Sequence, residues 1–112
     1  MSKTFLELGI LAELVERLSE IQITIPTKVQ EKSIPLILNN TKDVVVLAKT
    51  GTGKTAAFGL PLLQLIDAKS TKIQALILAP TRELGQQIYT NLVSFSSESQ
   101  QTTITSICGG VP

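Results

Sequence analysis

The residues of this chain best placed to do chemistry are Lys54 and Thr55, which follow Gly51 and Gly53 at the end of the apolar run VVVLA. An apolar run, a loop with two glycines and then a helix is an arrangement that binds phosphate, because glycines let successive backbone N–H groups turn toward one anion. Lys54 adds a mobile positive charge for the outer phosphates, and the Thr55 hydroxyl suits the magnesium that travels with them. Residues 48–55, AKTGTGKT, match the spacing of a P-loop except at the first position, where Ala48 stands in place of glycine. An ordinary glycine turn ahead of an amphipathic helix is the bland alternative.

The elements that must position this loop follow from periodicity. Residues 44–48 read as a strand buried on both faces, and a helix starts at Lys54 and runs to Asp67, bent at Pro61. Residues 73–79, IQALILA, read as a second internal strand ended by Pro80. Thr81 then caps a helix whose Leu84, Ile88, Leu92 and Phe95 share a face, with Arg82 and Glu83 in its first turn. An arginine at the positive end of a helix asks for an anionic partner, either a nearby acid or a ligand. Residues 102–107 are rich in β-branched residues and read as a third strand, followed by Gly109-Gly110. Residues 96–101 read as a surface loop. Alternating strands and helices imply right-handed crossovers in a parallel sheet, which puts the P-loop, residues 80–83 and Gly109-Gly110 on one edge.

Upstream, residues 1–4 are expected to fray. Leu11, Leu14, Val15 and Leu18 mark an amphipathic helix over residues 10–20. Phe5 ahead of it is either a hydrophobic anchor or a ring over a ligand. Thr27-Lys28-Val29-Gln30 has the form of a capping box, which gives Gln30 a structural task, while its amide also has the donor and acceptor needed to read adenine. Pro35 is expected to break or kink the helix that begins there.

Composition sets the outer bounds. The 112 residues suffice for one small domain, and 43% hydrophobic residues with few aromatics fit an aliphatic α/β core. The net charge of +1 means that a polyanion must be held locally. Histidine is absent and Cys108 is the single cysteine, which removes histidine catalysis, thiolate zinc clusters and an internal disulfide. A cytoplasmic setting is expected, with no signal segment and no apolar run of membrane-spanning length.

Taken together, Ala48 to Thr55, Pro80-Thr81-Arg82-Glu83-Leu84 and Gly109-Gly110 resemble motif I, motif Ia and the GG motif of DEAD-box ATP-dependent RNA helicases. Residues 25–30, with Phe5 as the isolated upstream aromatic, look like the family's Q motif, so the resemblance covers nearly the whole chain. It implies an α/β fold, the three-layer parallel sheet of a RecA-like P-loop NTPase, partial over residues 5–112, incomplete at the C-terminus and without the second helicase domain. It implies that Phe5 stacks on adenine, that Gln30 reads its edge beside Thr27, and that Ala48, Lys49, Thr50, Gly51, Thr52, Gly53, Lys54 and Thr55 hold ATP. Lys54 and Thr55 are then the catalytic pair, with Thr55 on Mg2+, and Pro80, Thr81, Arg82, Gly109 and Gly110 touch the RNA backbone.

Ala48 is the family's ordinary residue. The chain departs from the family at Gln22 and Ile23, where glycine and an aromatic are usual, and at Gly85, where alanine is commoner. The 112 residues contain no Asp-Glu-Ala-Asp box and no Ser-Ala-Thr motif. The reading is therefore a helicase fragment that binds nucleotide with little turnover and exposes sheet edges able to pair with a second copy. The alternatives are a non-catalytic nucleotide-binding or interaction module and a DNA-directed helicase of the same superfamily.

Overall fold

The computed structural model describes residues 3–39, 43–47, 53–67, 69–96 and 103–107. These contain five helices: α1 (Phe5–Leu8), α2 (Ala12–Glu20), α3 (Lys28–Asn39), α4 (Lys54–Leu65) and α5 (Arg82–Phe95). Their apolar stripes meet in one core to which each contributes: Phe5 and Leu8, Leu14 and Leu18, Ile34, Leu60, and Leu92. Each such fully buried aliphatic or aromatic side chain contributes roughly 1.5–3 kcal/mol. The core is therefore what fixes α3 along α4 and α4 along α5, the helix pairs that carry the candidate site.

Helix starts follow the local chemistry. Thr81 caps α5 by accepting from the Leu84 N–H at 3.1 Å. At α1, Thr4 accepts from the Glu7 N–H at 3.1 Å while the Glu7 carboxylate accepts from the Thr4 N–H at 2.9 Å. This reciprocal box holds Thr4, and the Lys3 N–H meets Glu31, where the sequence led us to expect fraying; residues 1 and 2 lie outside the described residues. The pattern Thr4-Phe5-Leu6-Glu7 was its signal.

Helix α3 corrects a second expectation. It passes through Pro35 to Asn39 without a break. A proline in a helix interior costs about 3 kcal/mol or more, so the packing of its neighbour Ile34, fully buried against the shared core, must outweigh local preference. Pro61 likewise lies inside α4, buried.

The expected sheet is the largest difference. Residues 43–47, 73–79 and 103–107 lie outside the helices, yet no strand ladder is formed among the described residues. Nor are the apolar runs buried on both faces. Along residues 44–47 exposure alternates with period two, Val44 and Val46 near 36–37% and Val45 and Leu47 at 86% and 94%. Leu76 and Leu78 flank a less exposed Ile77 in the same way. One side of each run is about a third exposed and the other bare. Parallel strands are stable only when both faces are covered, and among the described residues nothing covers the second.

The two departures at residues 22 and 23 have a structural account. Gln22 takes a left-handed φ of 66°, a conformation glycine adopts without strain. Ile23 is half-buried against the core, with its N–H on the Leu18 carbonyl at 2.8 Å. Gly85 has room for the commoner alanine, since an added Cβ would lie 3.7 Å from that of Ala79, an ordinary contact.

Candidate nucleotide-binding site

The start of α4 differs from that of the other helices. Its N-cap is Gly53 in the left-handed region (φ 88°), which offers no capping side chain, as Leu11 at α2 makes no side-chain cap, and its first turn alone contains no acid. The first-turn groups of α1, α2, α3 and α5 each include a glutamate: Glu7, Glu13, Glu31 and Glu83. The first N–H groups of a helix have no intrahelical acceptor and sit at the positive end of its dipole. At α4 no capping side chain among the described residues answers these groups, and Lys54 is exposed beside them with Thr55 half-buried. The helix begins at Lys54, as the sequence predicts.

Two residues of α3's entry close over this point. The Thr27 N–H donates to Gln30 Oε1 at 2.9 Å and the Gln30 N–H to Thr27 Oγ1 at 3.4 Å, the capping box read from the sequence. Gln30, only 4% exposed, also donates through Nε2 to the Gly53 carbonyl at 3.2 Å. One amide thus caps α3 and touches the last residue of the loop ahead of Lys54. Contact is close enough to require glycine: a Cβ on residue 53 would fall 2.4 Å from Gln30 Nε2 and 3.1 Å from Thr27 Oγ1.

Phe5 is not part of this cluster as a free ring. It is 2% exposed in the core, which supports its reading as an anchor for α1. Ala48, Lys49, Thr50, Gly51 and Thr52 lie outside the described residues, as do Gly109 and Gly110. Pro80, Thr81 and Arg82 line a cavity of about 660 Å3 together with residues 103–107, so the segment that leads toward Gly109-Gly110 lies beside the start of α5. Among the described residues no group of three or more metal-ligating side chains occurs.

Sequence reasoning missed two polar residues that tie the N-terminal segment to these helices. Gln64 donates through Nε2 to the Gly9 carbonyl at 2.9 Å and accepts from the Leu11 N–H at 2.8 Å. Glu31 accepts from the Lys3 N–H at 3.1 Å. The available signal was a lone amide in the apolar run LPLLQLI.

Comparison with known proteins agrees with this geometry. Residues 27–112 match the DEAD/DEAH box helicase family. The chain is 41% identical over 107 residues to the ATP-dependent RNA helicase DeaD of Escherichia coli, covering 96% of this chain and 17% of that protein. Among solved structures it resembles the RNA helicase Prp28 from Chaetomium thermophilum bound to ADP (TM-score 0.85, 39% identity, 98% of this chain and 28% of that one). It also resembles S. cerevisiae Dbp5 bound to RNA and ADP BeF3 (TM-score 0.79, 36% identity, 84% and 24%). The fold is that of part of a RecA-like domain, and the chain belongs to the DEAD-box RNA helicase family. It spans between 17% and 25% of the length of the curated relatives it matches.

Proposed function

We propose that this chain is the nucleotide-holding part of an ATP-dependent RNA helicase. The carrying observation is the start of α4, uncapped and free of acids, with Lys54 beside it and Gln30 bonded to its N-cap residue. In this reading the backbone N–H groups from residues 48–54 and the Lys54 ammonium hold the phosphates of ATP. Thr55 meets Mg2+, and the Thr27–Gln30 pair addresses adenine. Bound magnesium would neutralise charge on the phosphates. Phe5 serves the site from the core, by seating α1. Pro80, Thr81, Arg82, Gly109 and Gly110 contact the sugar-phosphate backbone of RNA, with little base selectivity. Phosphoryl transfer depends on positioned charge, so these 112 residues bind ATP without turning it over at a useful rate.

Titration of the chain with ATP and with GTP, each with magnesium, tests the assignment. Gln30→Ala is expected to weaken ATP far more than GTP, and equal weakening of both removes the base-reading role. RNA binding that is unaffected by Arg82→Ala would remove the backbone-contact role.

A further inference from the structure

Helices α3 and α4 lie alongside each other, and the Gln30–Gly53 bond joins them at the end where the phosphates would sit. At the other end the segment of residues 3–11 adds a polar tie to the core that packs them together. It is anchored near the start of α3, where the Lys3 N–H meets Glu31 one residue beyond Gln30. It then follows α3: Phe5 and Leu8 are buried in the same core as Ile34, and Gly9 (φ 105°) comes so close that an added Cβ would stand 3.0 Å from Leu38 Cδ1. At this far end Gln64, on α4, takes both the Gly9 carbonyl and the Leu11 N–H. The segment is thus pinned to α3 along its length, shares the core with Leu60 and Leu63 of α4, and is hydrogen-bonded to α4 by one amide, about 15 Å along the helix axis from Lys54.

We propose that Gln64 is a positioning residue of the nucleotide site. It sets the register of α4 against α3 through residues 9–11, and so holds Gln30 in reach of Gly53. The inference rests on the nucleotide reading above and goes beyond it, since Gln64 touches neither the loop nor Gln30. A side chain that only stabilised the fold would affect every ligand equally. A register clamp affects the ligand that needs Gln30 and the phosphate loop together, and spares one that needs the loop alone.

The test compares ATP with inorganic tripolyphosphate, each with magnesium, on the 112-residue chain. Gln64→Met keeps the side chain's length and removes both bonds. Losing both hydrogen bonds predicts about a tenfold weaker affinity for ATP, with tripolyphosphate unchanged. Gln64→Glu, which keeps the acceptor for Leu11, is expected to lose less. Glu31→Ala releases the segment's other anchor and is expected to act in the same direction, which provides a second arm should Gln64→Met fold poorly. Equal losses for ATP and tripolyphosphate in both Gln64→Met and Glu31→Ala would overturn the proposal. So would unchanged ATP affinity while hydrogen exchange at residues 9–11 has risen. A wild-type chain that binds neither probe would instead overturn the nucleotide reading itself.

Discussion

Helices α4 and α5 both follow an apolar run, yet they begin in opposite ways. Helix α5 starts with a threonine whose hydroxyl accepts from the Leu84 N–H and has Glu83 in its first turn, so its positive end is already answered from within the chain. Helix α4 starts on a left-handed glycine, with no capping side chain and no acid. The contrast separates two uses of a helix start. One is satisfied internally, by the Thr81 hydroxyl and Glu83. The other has neither a capping side chain nor an acid among the described residues and places a lysine beside its first turn, which suits a ligand that brings its own negative charge.

The largest way to break the contrast is at Lys54. Lys54→Ala removes a charge-assisted contact, and ATP–Mg affinity is expected to fall about 100-fold by calorimetry. Arg82→Ala, at the corresponding first position of α5, is expected to leave ATP affinity unchanged. Equal effects would mean that the two helix starts are not specialised.

Gly53→Ala comes next. The left-handed backbone and the 2.4 Å approach to Gln30 Nε2 both oppose a side chain, so a loss of about 1–3 kcal/mol is expected in urea unfolding, together with weaker ATP binding. A neutral result would show that the Gln30 contact gives way easily.

Thr81→Ala is smaller. It removes one cap, about 1 kcal/mol, and should lower the midpoint of unfolding without touching ATP affinity. A loss of ATP binding in this variant would blur the comparison.

The smallest effect concerns α1, whose start is answered by an acid. Hydrogen bonds from the Thr4 backbone and hydroxyl hold the Glu7 carboxyl below its ordinary value. A folded-state value below the unfolded one gives a contribution that is present above the unfolded value and is lost as pH falls through the folded one. Carbon-detected titration of Glu7 should therefore show α1 loosening only at acid pH, below the ordinary carboxylate range. Loosening that begins near neutrality would contradict the capping box as its cause.

What the sequence disclosed is what depends on neighbours in the chain. The start of α4 at Lys54, the Thr81 cap, the Thr27–Gln30 box and the buried positions Ile88, Leu92 and Phe95 all follow from spacings of three or four residues. What it concealed depends on distant partners. Pro35 is carried within α3 because Ile34 packs into a core formed by other helices, which no local preference reveals. Residues 44–47 are uniformly apolar, but their burial depends on whether a second layer lies over them; among the described residues Val45 and Leu47 have none. Phe5 is buried by helices distant from it in the sequence, which periodicity around residue 5 does not reveal. Gln64 lies 53 residues from Leu11, a pairing invisible to any periodicity.

The most direct test of the central claim is a titration of the isotope-labelled chain with ATP and magnesium, followed at individual backbone amides. The account predicts that the signals of Gly53, Lys54 and Thr55 and the Gln30 side-chain amide move together and saturate, while those of Arg82 and Glu83 stay in place. Signals at the start of α4 that remain fixed while ATP binds elsewhere, or no binding at all, would contradict it.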